Sequence, residues 1–301
     1  MRRALVVVLA ALAVLVEGTG SGMAVSGKGP LRMLVDSERA FAAHASAAST
    51  REAFAANFHS DAIVFRPGPT NHHEWARAHP EWGLKGLLTW DPSFGSASAN
   101  GDLGYTTGPS QFRQLRDLKT EPVYWGYFVS VWAREGGGPW RVMIDVGTST
   151  PKPDQPVARF EPVPAMEKIP APRAGDRRVG EEKLKQAEAL FSSTATSKGI
   201  KAAYHETLAE SGRVHRDERN PGVGRDAGVA VLDANRTAIT WNVLGARASS
   251  SADLGYVYGT GEARSADGSV TKFAFLRIWE TDSKRVWRVV LDVENPIPEE
   301  K

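Results

Sequence analysis

Apolar positions along this chain keep two periods, and each period occurs twice. Leu34, Phe41 and Ala45 follow i, i+7, i+11 spacing, and Leu184, Phe191 and Ala195 repeat it 150 residues later. That spacing predicts an amphipathic helix at the head of each half. Ser49-Thr50-Arg51-Glu52 has the form of a capping box and opens a second, shorter helix carrying Phe54 and Phe58 one turn apart. Ile200, Tyr204 and Leu208 repeat this pattern. Beyond the helices the period falls to two. Ile63-Val64-Phe65 is ended by the turn signal Arg66-Pro67-Gly68-Pro69, and strands are predicted at Leu87–Trp90, Leu103–Thr107, Tyr124–Trp132 and Trp140–Val146. Tyr127, Val129 and Val131 share one face, and Phe128, Ser130 and Trp132 the other. Trp140, Val142, Ile144 and Val146 alternate with Arg141, Met143 and Asp145, as in a sheet with two unlike faces. Helices followed by a run of antiparallel strands indicate α+β, with the helices on one face of a curved sheet.

The repetition extends to particular residues. Asp102-Leu103-Gly104-Tyr105 returns as Asp253-Leu254-Gly255-Tyr256 at an offset of 151, and Thr89-Trp90 as Thr240-Trp241 at the same offset. Trp132 and Trp140–Val146 match Trp279 and Trp287–Val293 at 147, so the first half carries four extra residues near 111–124. A period near 150 residues is a domain duplication; solenoid units are far shorter. Between the copies, seven of the chain's 18 prolines fall within 151–172, the composition of an extended, semi-rigid spacer. The expected divisions are residues 25–150, a linker at 151–180, and 181–301.

The N-terminus changes the picture. Arg2 and Arg3 precede an apolar run from Ala4 to Val16, the length of a signal-peptide core and short of the ~20 residues of a membrane helix. Small residues reach Ala24, so 1–24 reads as a signal peptide, with an uncleaved anchor as the alternative. The expected location is periplasmic or secreted, without stable membrane insertion after cleavage. Removal of 1–24 leaves 35 basic against 34 acidic residues, and without a basic cluster nucleic-acid binding is not expected. The absence of cysteine excludes disulfides, thiolate metal sites and cysteine nucleophiles.

Helices first, then Asp-Leu-Gly-Tyr, then Gly126-Tyr127-Phe128-Val129-Ser130-Val131-Trp132, then Trp-Arg-Val-x-(Ile/Leu)-Asp-Val: in this order each half resembles the SnoaL-like, nuclear transport factor 2-like superfamily, nearest its domain of unknown function 4440. Ala274–Trp279 fits that pattern less well. The resemblance implies two cone-shaped domains of cystatin-like or ketosteroid-isomerase-like type, each with N-terminal helices packed on a strongly curved, mainly antiparallel sheet around an apolar cavity. Relatives use the cavity for isomerase, cyclase or dehydratase chemistry, for ligand binding, or as a dimer scaffold, and fold alone does not choose.

Among residues present in both halves, Asp102 and Asp253 suit backbone caps at turns. Arg141 and Asp145 suit a charge network, or Asp145 suits a buried general base of raised pKa. Tyr105 is a candidate electrophile and His59 an alternative base. Among residues that differ, Asn71–Trp82 carries His72, His73, His79, Trp75 and Trp82 where Pro221–Val231 carries no histidine or tryptophan. Its spacing lacks a metal-ligand motif, so no metal and no cofactor are expected. Trp75, Trp82, Trp90, Tyr105, Tyr127 and Arg66 are the candidate ligand contacts. The leading expectation is binding of a small apolar or aromatic molecule in the first domain. Isomerase, cyclase or dehydratase chemistry and a ligand-free intramolecular pseudo-dimer, or a homodimer, are the alternatives.

Overall fold

The structure, a computed structural model, describes residues 29–117, 119, 123–161 and 176–299. The apolar run at 4–16 and the small-residue segment after it lie outside the described residues. The first half contains α1 (Pro30–Ala47), α2 (Thr50–Asn57), β1 (Phe58–Phe65), β2 (Pro69–Asn71), α3 (His72–Ala78), β3 (Leu87–Trp90), β4 (Phe94–Ala97), β5 (Leu103–Arg113), β6 (Val123–Ala133) and β7 (Arg141–Thr150). The second contains α4 (Arg177–Lys198), α5 (Ile200–Thr207), β8 (Leu208–Arg216), β9 (Gly222–Val223), α6 (Arg225–Ala230), β10 (Arg236–Ala248), β11 (Leu254–Ser265), β12 (Val270–Thr281) and β13 (Trp287–Ile297).

Local chemistry explains the boundaries. Pro30 sits in the first turn of α1, where its missing N–H costs nothing. Ser49 caps α2 by accepting from the Glu52 N–H, and its hydroxyl donates to the Glu52 carboxylate, so the cap forms with the glutamate answering the side chain in place of the backbone N–H of the expected capping box. Asp176 accepts from the N–H groups of Arg178 and Val179, opening α4 inside the interval assigned to the linker. Gly199, at φ +91°, ends that helix in a conformation side chains resist.

Both sheets have the same strand order. The first runs β2-β1-β7-β6-β5-β3, with β4 also beside β5; the second runs β9-β8-β13-β12-β11-β10. The ladders are antiparallel apart from β1 with β7 and β8 with β13. The Trp140 and Trp287 segments therefore occupy equivalent places. One difference stands out: β10 is a continuous strand where the first half has β3 and β4, separated by Asp91-Pro92-Ser93. Pro92 offers no ladder donor, and the chain there passes so close to Gly108 that a Cβ would lie 2.2 Å from the Asp91 carbonyl. Each half is α+β, helices on a mainly antiparallel sheet.

The inner face of each sheet lies under its helices. Leu34, Phe41, Phe54, Phe58, Trp132 and Val142 form one buried cluster, and Leu184, Phe191, Tyr204, Phe275, Trp279 and Val289 its counterpart. The outer faces meet each other: Leu103, Tyr105, Val129, Val131 and Ile144 share a single cluster with Leu254, Tyr256, Leu276, Ile278 and Val293. Turn residues lock this contact reciprocally. Asp102 accepts the Ser250 N–H at 2.9 Å, and Asp253 accepts the Ala99 N–H at 3.0 Å. The two aspartates do cap backbone groups, but each caps a turn of the opposite half. Arg141 departs from the expected pairing with Asp145: it donates to the carbonyl of Ala56 near the end of α2, as Arg288 does to Glu206 at 2.8 Å near the end of α5.

Leu276 is fully buried in the shared cluster. Leu276→Ala is expected to cost about 2–5 kcal/mol. Because the layer belongs to both halves, amide hydrogen exchange of β5 and β6 should accelerate together with that of β11 and β12. Acceleration confined to the second half would show that the sheets are not coupled.

Candidate functional site

Under α1 and α2, the first sheet encloses a cavity of about 150 Å³ lined by Phe54, Arg66, Leu88, Trp90, Phe128 and Asp145, among others. Its position follows from strand parity. Phe128 and Ser130 point inward from β6, Asp145 inward from β7, and Trp90 ends β3. Three aromatic rings make the walls, while one carboxyl and one guanidinium supply the polarity. Asp145 is only partly shielded from a solvent probe because it borders the cavity, yet protein surrounds it. Arg66 is accessible at the open end, donates to its own neighbour's carbonyl at Phe65, and lies 5.7 Å from the Trp75 ring centre.

A second carboxyl lies behind the first. Glu38 of α1 is fully buried and accepts from Trp90 Nε1 at 2.6 Å, Trp132 Nε1 at 2.7 Å and Thr106 Oγ1 at 2.5 Å. It ties α1 to strands β3, β5 and β6. Asp145 accepts from Ser130 Oγ at 3.1 Å. Burial raises the pKa of Glu38 despite these donors. Burial, and then the Glu38 charge, push Asp145 up to about 7, with Arg66 and Ser130 opposing. A carboxyl that is half protonated near neutrality and faces a cavity with apolar walls can donate or accept a proton.

The second half builds the same frame and fills the space beside its aspartate, leaving a charged pocket of about 400 Å³ bordered by Arg216, Arg236, Phe273 and Glu294. Asp292, Glu188, Arg216, Trp241 and Trp279 stand where the first half has Asp145, Glu38, Arg66, Trp90 and Trp132. Two replacements matter. Arg277 takes the place of Ser130 and Tyr204 that of Phe54. The Arg277 guanidinium, fully buried, bonds Asp292 at 2.8 Å, bonds Glu188, and lies 3.9 Å from the Phe191 ring centre. Arg216 bonds the other Asp292 oxygen at 2.7 Å, and the Tyr204 hydroxyl joins it at 2.8 Å. Burial works to raise the Asp292 pKa, but the two guanidiniums hold it below the usual range. The equivalent aspartates thus have opposite electrostatic fates.

The remaining candidates divide. Arg66 and Trp90 line the cavity as expected. Tyr105 and Tyr127 do not: both belong to the outward-facing set of β5 and β6. Tyr105 is buried in the layer between the sheets, where burial drives its pKa well up; Tyr127 instead meets His215 of the second half, ring centres 5.6 Å apart. Tyr105 therefore cannot act as an electrophile in this cavity, and neither tyrosine contacts a ligand there. Trp75 stacks on His79 at 4.3 Å and Trp82 packs edge-on against Phe54 at 5.2 Å, so they support the wall from outside. His59 lies at the surface beside Asp61, its Nδ1 accepting the Asp61 N–H. His73 Nε2 contacts the His59 carbonyl and His79 Nδ1 that of Trp75, which leaves each tied to local backbone. His72 is buried among Phe54, Phe58 and Trp82, and burial lowers its pKa to about 4. Among the described residues no group of three or more histidine, aspartate or glutamate side chains is placed to hold a metal.

Glu38 was not among the residues singled out by motif, yet the signal was present. It lies four residues after Leu34 and three before Phe41, on the apolar stripe, and Glu188 repeats the placement.

The raised Asp145 pKa makes the native state hold more protons than the unfolded chain between the ordinary aspartate value of 3.8 and about 7. Stability should therefore fall as pH rises through that window. Asp145→Asn should remove the Asp145 share of the effect, leaving that of Glu38, and make the variant more stable than the parent at pH 8 by on the order of 1–3 kcal/mol and nearly equal to it at pH 4. Denaturant unfolding across pH checks this; a constant difference would show that Asp145 titrates normally.

No family model matches the chain, and no curated protein matches it. Solved structures do. A ketosteroid isomerase-like protein from Erwinia carotovora atroseptica is 18% identical, covering 40% of this chain and 97% of its own, with a TM-score of 0.35. A putative SnoaL-like polyketide cyclase from Jannaschia sp. is 12% identical, with 40% and 90% covered and a TM-score of 0.32. Nuclear transport factor 2 from Cryptosporidium parvum is 12% identical, with 41% and 98% covered and a TM-score of 0.33.

Proposed function

We propose that the first half binds a small, largely apolar molecule about the size of one ring in the cavity beside Asp145, while the second half acts as its scaffold. The observation that carries this reading is the contrast between equivalent sites. Beside Asp292 the space is taken by Arg277 and its ion pairs, and what stays open is a strongly charged pocket of about 400 Å³ between Arg216, Arg236 and Glu294; beside Asp145 about 150 Å³ remains between the rings of Phe54, Trp90 and Phe128. A cavity of ~150 Å³ with apolar walls is the size that takes up benzene. On this reading the two halves pair through their sheets as an intramolecular pseudo-dimer, and the charged-then-apolar N-terminal segment directs the chain to export.

Phenol is a suitable probe. It should raise the melting temperature of the parent protein, and Ser130→Arg, which copies the filled half, should abolish the shift. Trp90→Ala should weaken it without placing a charge in the cavity. Equal stabilisation of all three proteins by phenol would place binding elsewhere.

A second reading, proton transfer, is favoured by the position and pKa of Asp145. A carboxylate there would take a proton from carbon next to a carbonyl of the bound ring, leave an enolate, and return the proton at the same or a conjugated carbon. Cyclohex-2-enone in deuterium oxide tests it. The parent should accelerate deuterium incorporation, read by NMR, and Asp145→Asn should lose at least about a hundredfold. If Asp145→Asn binds phenol normally and the parent shows no exchange above buffer, the site binds without turnover.

A further inference from the structure

A second cavity, of about 350 Å³, lies where the two halves meet, and its chemistry differs from that of the first. Its walls come from β5 and β6 of the first half and β8 of the second, with residues 153–158 of the connecting segment over it. Three side chains define it. His215 is 1% exposed, and neither ring nitrogen has a hydrogen-bond partner. Arg213 lies with its guanidinium carbon 3.5 Å from the Phe94 ring centre and donates to the Ser211 carbonyl; no carboxylate lies within ion-pair distance among the described residues. Tyr127 sets its ring edge-on to His215.

These polar groups stand where the fold calls for apolar ones. Arg213 and His215 occupy the register positions that Ile63 and Phe65 hold in β1: Arg213 pairs with Leu291 as Ile63 pairs with Ile144. Phe65 belongs to the buried layer between the sheets, with Ile63 packed against it. A buried imidazole with both nitrogens unsatisfied loses its hydration with nothing in return. The substitution therefore works against the scaffold and requires another explanation. Burial, and then the nearby arginines, lower the His215 pKa to about 3, so the ring is neutral, with one N–H to donate. Beside it stands a cation lacking a carboxylate partner, and Pro221, Val223 and Val157 add apolar surface.

We propose that this cleft is a binding site for a small organic carboxylate, its anionic end held by Arg213 and the His215 N–H and its apolar body lying against Pro221 and Val223. A guanidinium matches a carboxylate in shape and charge. Asp154, exposed at the outer edge, disfavours a second negative charge on the ligand.

Benzoate is the probe, with benzamide as its neutral counterpart. In the parent protein benzoate should shift the ring resonances of His215 in a saturable NMR titration, and benzamide should not. Arg213→Gln should weaken benzoate binding by at least about tenfold. His215→Phe, which restores the residue type at Phe65, should weaken binding while raising stability. Asp154→Asn should strengthen it. Arg66→Gln, at the first cavity, should leave the titration unchanged. The proposal is overturned if benzoate leaves the His215 resonances unmoved, if benzamide shifts them equally, or if Arg66→Gln rather than Arg213→Gln removes binding. The first cavity's phenol response is judged with the Ser130→Arg and Trp90→Ala variants, so either site can fail alone.

Discussion

Leu103, Val129 and Val131 on one sheet stay dry only because Leu254, Leu276 and Val293 on the other cover them. A sheet with helices on one face leaves its second face to be buried by something, and here the other half supplies the cover. The apolar layer restricts where polar chemistry can go. A charged group placed between the sheets would lose its hydration without a partner, which confines carboxylates and guanidiniums to the inner faces, under the helices, or to the margin of the contact. Asp145, Glu38, Asp292 and Arg277 take the first option; Arg213 and His215 take the second. The exchanged turns act at that margin too. Asp102 and Asp253 satisfy backbone donors across the junction, so the register of one half on the other is fixed by directional bonds, to which apolar contact adds area.

The two inner faces solve one electrostatic problem in opposite ways. Each begins with a buried glutamate on the first helix and an aspartate on the last strand, two acids close enough for the charge of one to raise the pKa of the other, with Asp292 fully buried and Asp145 bordering the cavity. In the second half Arg277 and Arg216 neutralise them, with Tyr204 completing the shell; such a network is costly to assemble and much costlier to break by removing one member. In the first half Ser130 is too short to bring a charge, and Phe54 brings none. Neutralisation then falls to the proton, which is why Asp145 rises to about 7 while Asp292 falls. The empty volume and the perturbed carboxyl are two consequences of the same missing arginine.

How much of this was legible in the sequence depends on the range of the interaction concerned. The helices at Leu34–Ala45 and Leu184–Ala195, the Ser49 cap and the strands from Leu103 to Val146 are local patterns and formed, but a bulge in β7 splits its expected apolar face, with Trp140 and Val142 under the helices and Ile144 and Val146 against the other sheet. Parity along β6 correctly grouped Tyr127 with Val129 and Val131, and Phe128 with Ser130 and Trp132. It does not say which group meets the helices. That choice is set by sheet-on-sheet contact between residues about 150 positions apart, and it is what moved Tyr105 and Tyr127 out of the cavity. Asp145 was legible because it recurs; Glu38 recurs equally but sits in a helix, where a charged residue reads as solvated surface until its neighbours at i−4 and i+3 are counted. The importance of Ser130 was visible only by comparison with Arg277, since a serine on a strand carries no signal of its own. Arg213 and His215 were legible as departures from Ile63 and Phe65 but not as a site, because their partner Tyr127 comes from the other half.

The shared layer also bears on why one half is open and the other filled. A cavity and a carboxyl held away from its normal pKa both lower stability, and a domain of this size has little to spare. When a second domain of the same topology covers the outer face, the loss in one half is offset by contacts in both. The second half, with the space beside Asp292 occupied by paired charges and aromatic rings, holds its strands in a geometry that does not depend on a ligand at that position. The first half is then released from packing its own interior fully, provided its strands remain registered against that face. On this argument the asymmetry is not decay of one copy. A packed scaffold and an open site are complementary parts, and restoring Arg277-like packing to the first half should add stability, by filling the volume and pairing Asp145, only at the loss of the site.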